Sequence, residues 1–365
     1  MLSKLRYPSL VTLILLMFNI STAFGSNLQC RQALKTKLQN VSIEGRKLTF
    51  MAWNVKNVFT YQGKFEREGG MNNMRRVDGP EGAIRPKPMH EVQAAREMMA
   101  RKMPDMAVLT EIENVFALRR LLEEDPRLQG QYHIFLKEGN DVRGIDIAFI
   151  VKKELGLLFK LDTHKGMTWT DRFQIDGKTV EETGPLFSRD LPVLRIYRPG
   201  ATEPSIILMG NHAKSQRDRE GDPNSSRWRS NQYQGIAEIL KSYRVKYPNA
   251  AYILAGDMNT DVRTSNEIAP IKNLIPSIYD LMEKIDPNKS IPMEDRVTHS
   301  FFPKGGAPKY SQLDDIRVLG LGKLLEAQIL PFLDSKGQPL PRPKNFKQRE
   351  QQPSDHSPLW MEFSL

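Results

Sequence analysis

Apolar positions along this chain follow two rhythms. Short apolar runs predict strands at Lys47–Asn54 (KLTFMAWN), Met106–Thr110 (MAVLT), Ile145–Val151 (IDIAFIV), Leu191–Ile196, Ser205–Gly210, Ala251–Ala255 (AYILA), Leu313–Leu319 and Leu359–Phe363. Spacings of three and four predict helices between them. One covers Glu91–Lys102 and stops ahead of Pro104. A second opens at Asn114 and sets Phe116, Leu118, Leu121 and Leu122 on one side. A third covers Arg229–Tyr243 with Ile236, Ile239 and Leu240 inward. Residues 266–285 read as mostly helical with proline interruptions, and the Gly-, Arg- and Pro-rich stretch 60–88 as a long loop.

Strands and helices interleave, yet several strand-to-strand steps carry no helix. A parallel connection needs a crossover, so the order predicts mixed sheets rather than a doubly wound parallel one. No repeat is visible and no linker composition divides the chain, which predicts one domain over 45–365 behind a lead segment, 26–44. An apolar fraction of 39% is enough for a core of that size.

The first 25 residues are different. Lys4 and Arg6 precede the apolar run Leu10–Phe18, and Ala23-Phe24-Gly25 places small residues ahead of a cut before Ser26. This reads as a cleaved signal peptide, because the run is shorter than the roughly 20 residues a membrane span needs. The expectation is a secreted or periplasmic protein with no stable span once the signal is gone. Cys30 is the only cysteine, so no intramolecular disulfide forms. The formal net charge is +10, and the chain stays basic without Lys4 and Arg6. A basic exported protein suits a polyanionic substrate, although charge also serves solubility.

Candidate chemistry sits at strand ends, where α/β proteins commonly hold it. Asn54 follows the first strand in AWN, Glu111 ends the second in VLTEIEN, and His212 ends another in MGNHAKSQ. Asp257 and Asn259 follow in LAGDMNTD, Asp314 in SQLDDIRV, and Asp355 and His356 in SDHSPLW. Each is ordinary alone: a strand-end Glu is commonly solvated, and GDMN is commonly a turn. Their number and order carry the weight. HExxH, CxxC, P-loop and GxGxxG elements do not occur, so zinc, thiol and nucleotide-cofactor chemistry have no support.

The ordered series W-N, L-x-E, N-H, G-D-x-N, D-x-I and S-D-H, from Trp53 to Trp360, resembles the endonuclease/exonuclease/phosphatase superfamily, the fold of deoxyribonuclease I. Within it, LTEIEN, RGIDIAFI and NHAKSQ look most like bacterial secreted nucleases. The resemblance implies a four-layer α/β sandwich: two mixed sheets face to face, with helices outside. It implies phosphodiester hydrolysis with Mg²⁺, or else Mn²⁺ or Ca²⁺, near Glu111, Asn54 and Asp355, since hard cations prefer oxygen ligands. It implies Asp257 as the group orienting or deprotonating water, with Asn259 beside it. His356 is expected on the scissile phosphate with Asp314 fixing its tautomer, and His212 as the second histidine. Asp146 or Arg143 is expected to orient His212, and Arg189 and Lys214 to lie near substrate.

The substrate is the open part, because this superfamily also holds sphingomyelinases and inositol phosphatases. The basic segment Lys336–Arg349 lacks an acid, and Trp228, Tyr310 and Phe346 are candidates for base stacking. The leading expectation is a sequence-nonspecific endonuclease on DNA, with RNA as a second substrate. The alternatives are a lipid or sugar phosphodiesterase and an inactive binding member. Asp315 is expected to add negative charge near the site, and His90, His133, His164 and His299 to be surface or loop residues. Oligomeric state is not legible.

Overall fold

The apolar runs become the central strands of two sheets. The computed structural model describes residue 43 and residues 45–60, 63–67, 74–78 and 84–365, with backbone alone over 63–67 and 74–78. The expected signal peptide, Cys30 and nearly all of the 26–44 lead lie outside the described residues. In chain order the strands are β1 (Lys47–Val58), β2 (Gly63–Arg67), β3 (Met74–Asp78), β4 (Met106–Ile112), β5 (Tyr132–Leu136), β6 (Asp146–Lys152), β7 (Leu158–Asp162), β8 (Thr168–Ile175) and β9 (Lys178–Pro185). There follow β10 (Val193–Tyr197), β11 (Ile206–His212), β12 (Ala251–Asp257), β13 (His299–Phe301), β14 (Lys309–Ser311), β15 (Asp314–Leu319), β16 (Lys323–Ile329) and β17 (Leu359–Ser364). The helices are α1 (Met89–Lys102), α2 (Val115–Glu123), α3 (Ser226–Lys246), α4 (Ala269–Lys272), α5 (Ile278–Ile285) and α6 (Phe346–Arg349).

One sheet has the order β16-β17-β1-β4-β6-β5, the other β15-β12-β11-β10-β7. Each is mixed: β1 runs parallel to β4 and antiparallel to β17, and β11 runs parallel to β12 and antiparallel to β10. Because strand side chains alternate faces, each sheet offers one set of residues inward and one outward. Phe50, Val108, Phe149 and Met361 of the first sheet meet Leu208, Ile253 and Ile316 of the second in one buried layer. Met51, Trp53 and Leu109 face the other way, onto Met98 and Met99 of α1 and Leu118 and Leu121 of α2. Ile207, Tyr252 and Leu254 pack outward onto Tyr233, Ile236 and Leu240 of α3. The result is the four-layer α/β sandwich with mixed sheets inside and helices outside. Gly210 lets the sheets approach, since a Cβ there would lie 2.6 Å from Ile147 Cγ2.

Several local expectations change. The stretch 60–88 holds the antiparallel pair β2 and β3, not only loop. Residues 266–285 form two short helices, α4 and α5. Asn114 does cap α2, its side chain accepting from the Phe116 and Ala117 amides, a cap worth about 1 kcal/mol. Phe116, however, points to solvent at 66% exposure. No helix among the described residues is long and apolar enough to cross a membrane.

Candidate active site

Strand register assembles the site. Parallel pairing of β11 with β12 sets His212 beside Asp257, and antiparallel pairing of β12 with β15 sets Asp257 beside Asp314. The three form one row at an end of the second sheet. In the first sheet Asn54 of β1 sits beside Thr110 of β4, with Glu111 next in line. The Asn54 amide then joins the two sheets: Nδ2 donates to Glu111 Oε1 at 3.2 Å and to Asp257 Oδ2 at 3.1 Å. His212 Nε2 lies 3.5 Å from Asp257 Oδ2 and 3.9 Å from Glu111 Oε1. His356 completes the group, with Nδ1 2.7 Å from Asp314 Oδ2 and Nε2 4.0 Å from Asp257 Oδ2. Side chains from both ends of the domain's sequence thus surround one carboxylate oxygen.

The backbone is bent to achieve this. Glu111 has φ +65°, Asn259 +49°, Lys56 +53° and Asn57 +47°, in the left-handed region that costs non-glycine residues energy and gathers at functional sites. Strand pairing shifts register at the same place, between Asn54 and Val58 and between Thr110 and Ile112. Such a bulge re-aims a side chain, here Glu111. Gly256 has φ +133°, and a Cβ on it would lie 2.0 Å from the Asn211 carbonyl oxygen. Only glycine permits β12 to press against β11 immediately before Asp257.

The charges divide unequally. Burial opposes a proton on His356, but the Asp314 and Asp257 charges and the bond to Asp314 outweigh it and raise the ring to about 10. His356 is therefore an imidazolium at neutral pH. Burial, helped by the nearby Asp314 and Glu111 charges, pushes Asp257 up to about 7 against the pull of His356 and the Asn259 amide. His212 goes the other way: burial first, then the positive charges of Arg189, Arg143 and His356, hold it well below the ordinary histidine range. A neutral His212 is best satisfied with its proton on Nε2, facing the carboxylates. That leaves its buried Nδ1 without a partner.

The ligand atoms of Asp257, Asp314 and His356 lie within 4.8 Å of one another, a buried group able to hold a metal ion. Hydrogen bonding divides the donors differently. The His356 ring is protonated and held by Asp314, and a protonated imidazole is no ligand. Asp257 already accepts from Asn54 and twice from Asn259. Glu111 and Asp355 are half-buried carboxylates. Burial works to protonate Asp355, but the charges of His356, His299, Arg349 and Lys56 hold it below the usual carboxylate range, with no hydrogen bond to that carboxylate among the described residues. Carboxylate oxygens are the donors a hard divalent cation prefers; those of Glu111 already accept from Asn54 and from the Asn57 amide, and those of Asp355 accept nothing among the described residues.

The remaining expectations meet mixed outcomes. Neither Asp146 nor Arg143 hydrogen-bonds His212. Asp146 Oδ1 instead accepts from the Gly139 amide at 2.7 Å, and burial pushes its carboxyl up to about 7. Arg143 is gripped by Asp141, which also pairs with the buried Arg189 at 2.8 Å. Arg189 in turn donates to the Ala213 carbonyl at 2.8 Å, bracing the chain beyond His212. Asn259 spends its side-chain amide on Ala213 O and Asp257, so it orients the carboxylate. Lys214 lies over the Trp228 ring, 5.1 Å from its centroid. Trp228 is packing rather than a free stacking face: Lys214 and Arg219 lie over its ring, and its indole N–H donates to Leu186 O. Asp315 adds nothing to the cleft: alternation turns it to the opposite face of β15, onto Arg317 and Ser277. Sequence reasoning missed His299, whose ring centroid lies 4.6 Å from that of His356 through a bridge between β13 and the SDH segment. No local signal marked it, because the bridge joins residues far apart in sequence.

The fold, two mixed sheets packed face to face with helices outside, recurs among solved structures. Among solved structures, the chain is similar to truncated Caenorhabditis elegans TDP2, with 16% identity and a TM-score of 0.53 over 89% of this chain and 100% of that one. It is also similar to D. rerio TDP2 complexed with single strand DNA product, with 16% identity and a TM-score of 0.51 over 88% and 100%. Identities this low establish shared architecture. No family model and no curated protein matches the sequence.

Proposed function

We propose that this protein is a divalent-metal-dependent phosphodiester hydrolase, a sequence-nonspecific endonuclease of DNA with RNA as second substrate. The observation that carries the reading is the meeting of Asn54, His212, Asn259 and His356 on or near Asp257 Oδ2 in one buried polar cluster. Asp257, poised at about 7, accepts the proton of the attacking water. His356, kept charged by Asp314, donates a hydrogen bond to the phosphoryl oxygen as charge grows there. Neutral His212 donates a hydrogen bond from Nε2 to the leaving oxygen, which departs with the electrons of its broken bond to phosphorus and takes a proton from solvent, and Arg143 and Arg189 add positive potential behind it. A cation held by Glu111 and Asp355, with Asn54 alongside, supplies Lewis-acid polarisation of the phosphate when bound. Nucleic acid is the substrate class to test first: the D. rerio relative was solved with single strand DNA product, and the basic segment flanks Asp355. The N-terminal 25 residues support export, which we include in the proposal.

The direct test incubates purified protein with plasmid DNA, RNA and bis-p-nitrophenyl phosphate, with Mg²⁺ or with chelator. Metal-dependent nicking is expected. Hydrolysis of the small diester alone would move the assignment to a small phosphodiester, and no hydrolysis of any substrate would end it. Within an active enzyme, Glu111→Gln is expected to raise the Mg²⁺ concentration for half-maximal rate at least about tenfold. An unchanged midpoint would remove Glu111 from the metal site. Lys344 and Lys347 are exposed and make no ion pair among the described residues. Replacing both by Ala is expected to flatten the slope of log affinity against log salt by about two. An unaltered slope would place the bound strand elsewhere.

A further inference from the structure

The end of β1 and the segment before β17, which carry the site's polar groups, are stitched together by side chains outside the reacting set. Trp53 Nε1 donates to His356 O at 2.9 Å, and Ser354 Oγ donates to Asn54 O at 2.7 Å. A third tie comes from the stretch expected to be loop. Lys87 has a side chain only 2% exposed. Its ammonium donates to Lys56 O at 2.9 Å, Glu91 Oε2 at 2.8 Å and Pro353 O at 2.7 Å. An ammonium carries three protons, so every donor is satisfied.

We infer that Lys87 is a positioning residue of the active site, which holds the Asn54–Asn57 segment, and through it Glu111, against the Pro353–His356 segment that carries Asp355. This inference rests on the hydrolase reading for its functional part. The acceptors are what argue it. Lys56 O belongs to the left-handed pair Lys56–Asn57, and the Asn57 amide donates to Glu111 Oε2 at 2.9 Å. Residues in that conformation persist when their surroundings over-determine them, and Lys87 supplies one of those constraints. Pro353 O lies two residues ahead of Asp355. A buried Lys–Glu pair four residues apart would otherwise read as helix support. Here Lys87 also reaches chain segments 31 and 266 positions away, which a helix-stabilising pair does not require.

The test is the pair of substitutions Lys87→Met and Glu91→Gln made together in the full chain, so that no buried charge is left alone. Three measurements are made: amide hydrogen exchange, thermal midpoint and Mn²⁺ binding by titration. The expected result is faster exchange confined to residues 54–57 and 354–357, a midpoint within a few degrees of the parent, and Mn²⁺ bound about tenfold more weakly. Exchange unchanged in those two segments would overturn the inference. So would faster exchange throughout with a collapsed midpoint, which would make Lys87 general support, and so would unaltered Mn²⁺ affinity despite local loosening. None of these readouts needs turnover. A parent protein that cleaves nothing would therefore sink the hydrolase reading while leaving the clamp separately measured.

Discussion

Alanine at position 356 is expected to lower turnover by about three orders of magnitude while the domain stays folded. The loss follows from the ring's single geometry. Nδ1 is held by Asp314 at 2.7 Å, which leaves Nε2 as the donor facing the cleft beside Asp257. Removing the ring also leaves Asp314 buried and unpaired, at a cost of roughly 3 kcal/mol. That is a fraction of the roughly 5–15 kcal/mol of an ordinary domain, so assays below the lowered melting temperature still report on chemistry. Asp314→Asn separates the two effects. It keeps the ring but removes the charge and hydrogen bond that raise His356 to about 10. The donor form is present below the folded-state value and lost above it. The parent's alkaline limb should therefore lie near 10 and the variant's lower, with activity recovering as pH is reduced. Stability moves the same way: what the raised His356 contributes is complete below its unfolded value and disappears as pH rises through about 10. A pH–rate profile of Asp314→Asn that superimposes on the parent's would show that His356 is not the charged donor.

How much of this was legible in sequence depends on burial. Central strands such as Ala251–Asp257 are covered on both faces, so they stand out as unbroken apolar runs. Three of the four edge strands do not: β5, β7 and β16 have half-solvated faces that mix polar residues into the pattern, whereas the fourth edge, β15, is buried over most of its length and was legible. The β8–β9 hairpin lies outside both sheets and is mostly polar, but it did carry a signal. Its turn is Asp176-Gly177, both residues with positive φ, the turn chemistry that hairpins favour. The site residues were legible because strand ends in this fold are bounded by short polar words. Their partnerships were less so. Asp315 reads as a neighbour of the cleft until the two-residue period of β15 turns it away. His299 and Lys87 act through contacts with the SDH segment that only tertiary structure creates. Phe116 fitted a helical spacing but fell in the first turn of α2, where the helix meets solvent.

Asp257→Asn should be as damaging as loss of His356, and for a different reason. The substitution keeps size and two polar atoms but removes the proton acceptor, so turnover is expected to fall by about three orders of magnitude. The parent enzyme's acid limb should reflect the same group. Burial and the Asp314 and Glu111 charges hold the Asp257 carboxyl at about 7 in the folded, metal-free protein, so its base form is lost as pH falls through that value. A bound cation favours the carboxylate and is expected to move the acid limb downward as Mg²⁺ is raised. Stability has the opposite sign to the usual paired aspartate. A folded-state value above the unfolded one means that the native protein binds the extra proton, so Asp257 weakens the fold as pH rises from about 4 to about 7. The asparagine variant carries no such burden, although its amide meets donors from Asn54 and Asn259. The decisive readout is the split between the two properties. Activity lost with the pH 8 melting temperature kept within a few degrees makes Asp257 the base. Parallel loss of both, or activity within a factor of ten of the parent, would leave the cleft without one.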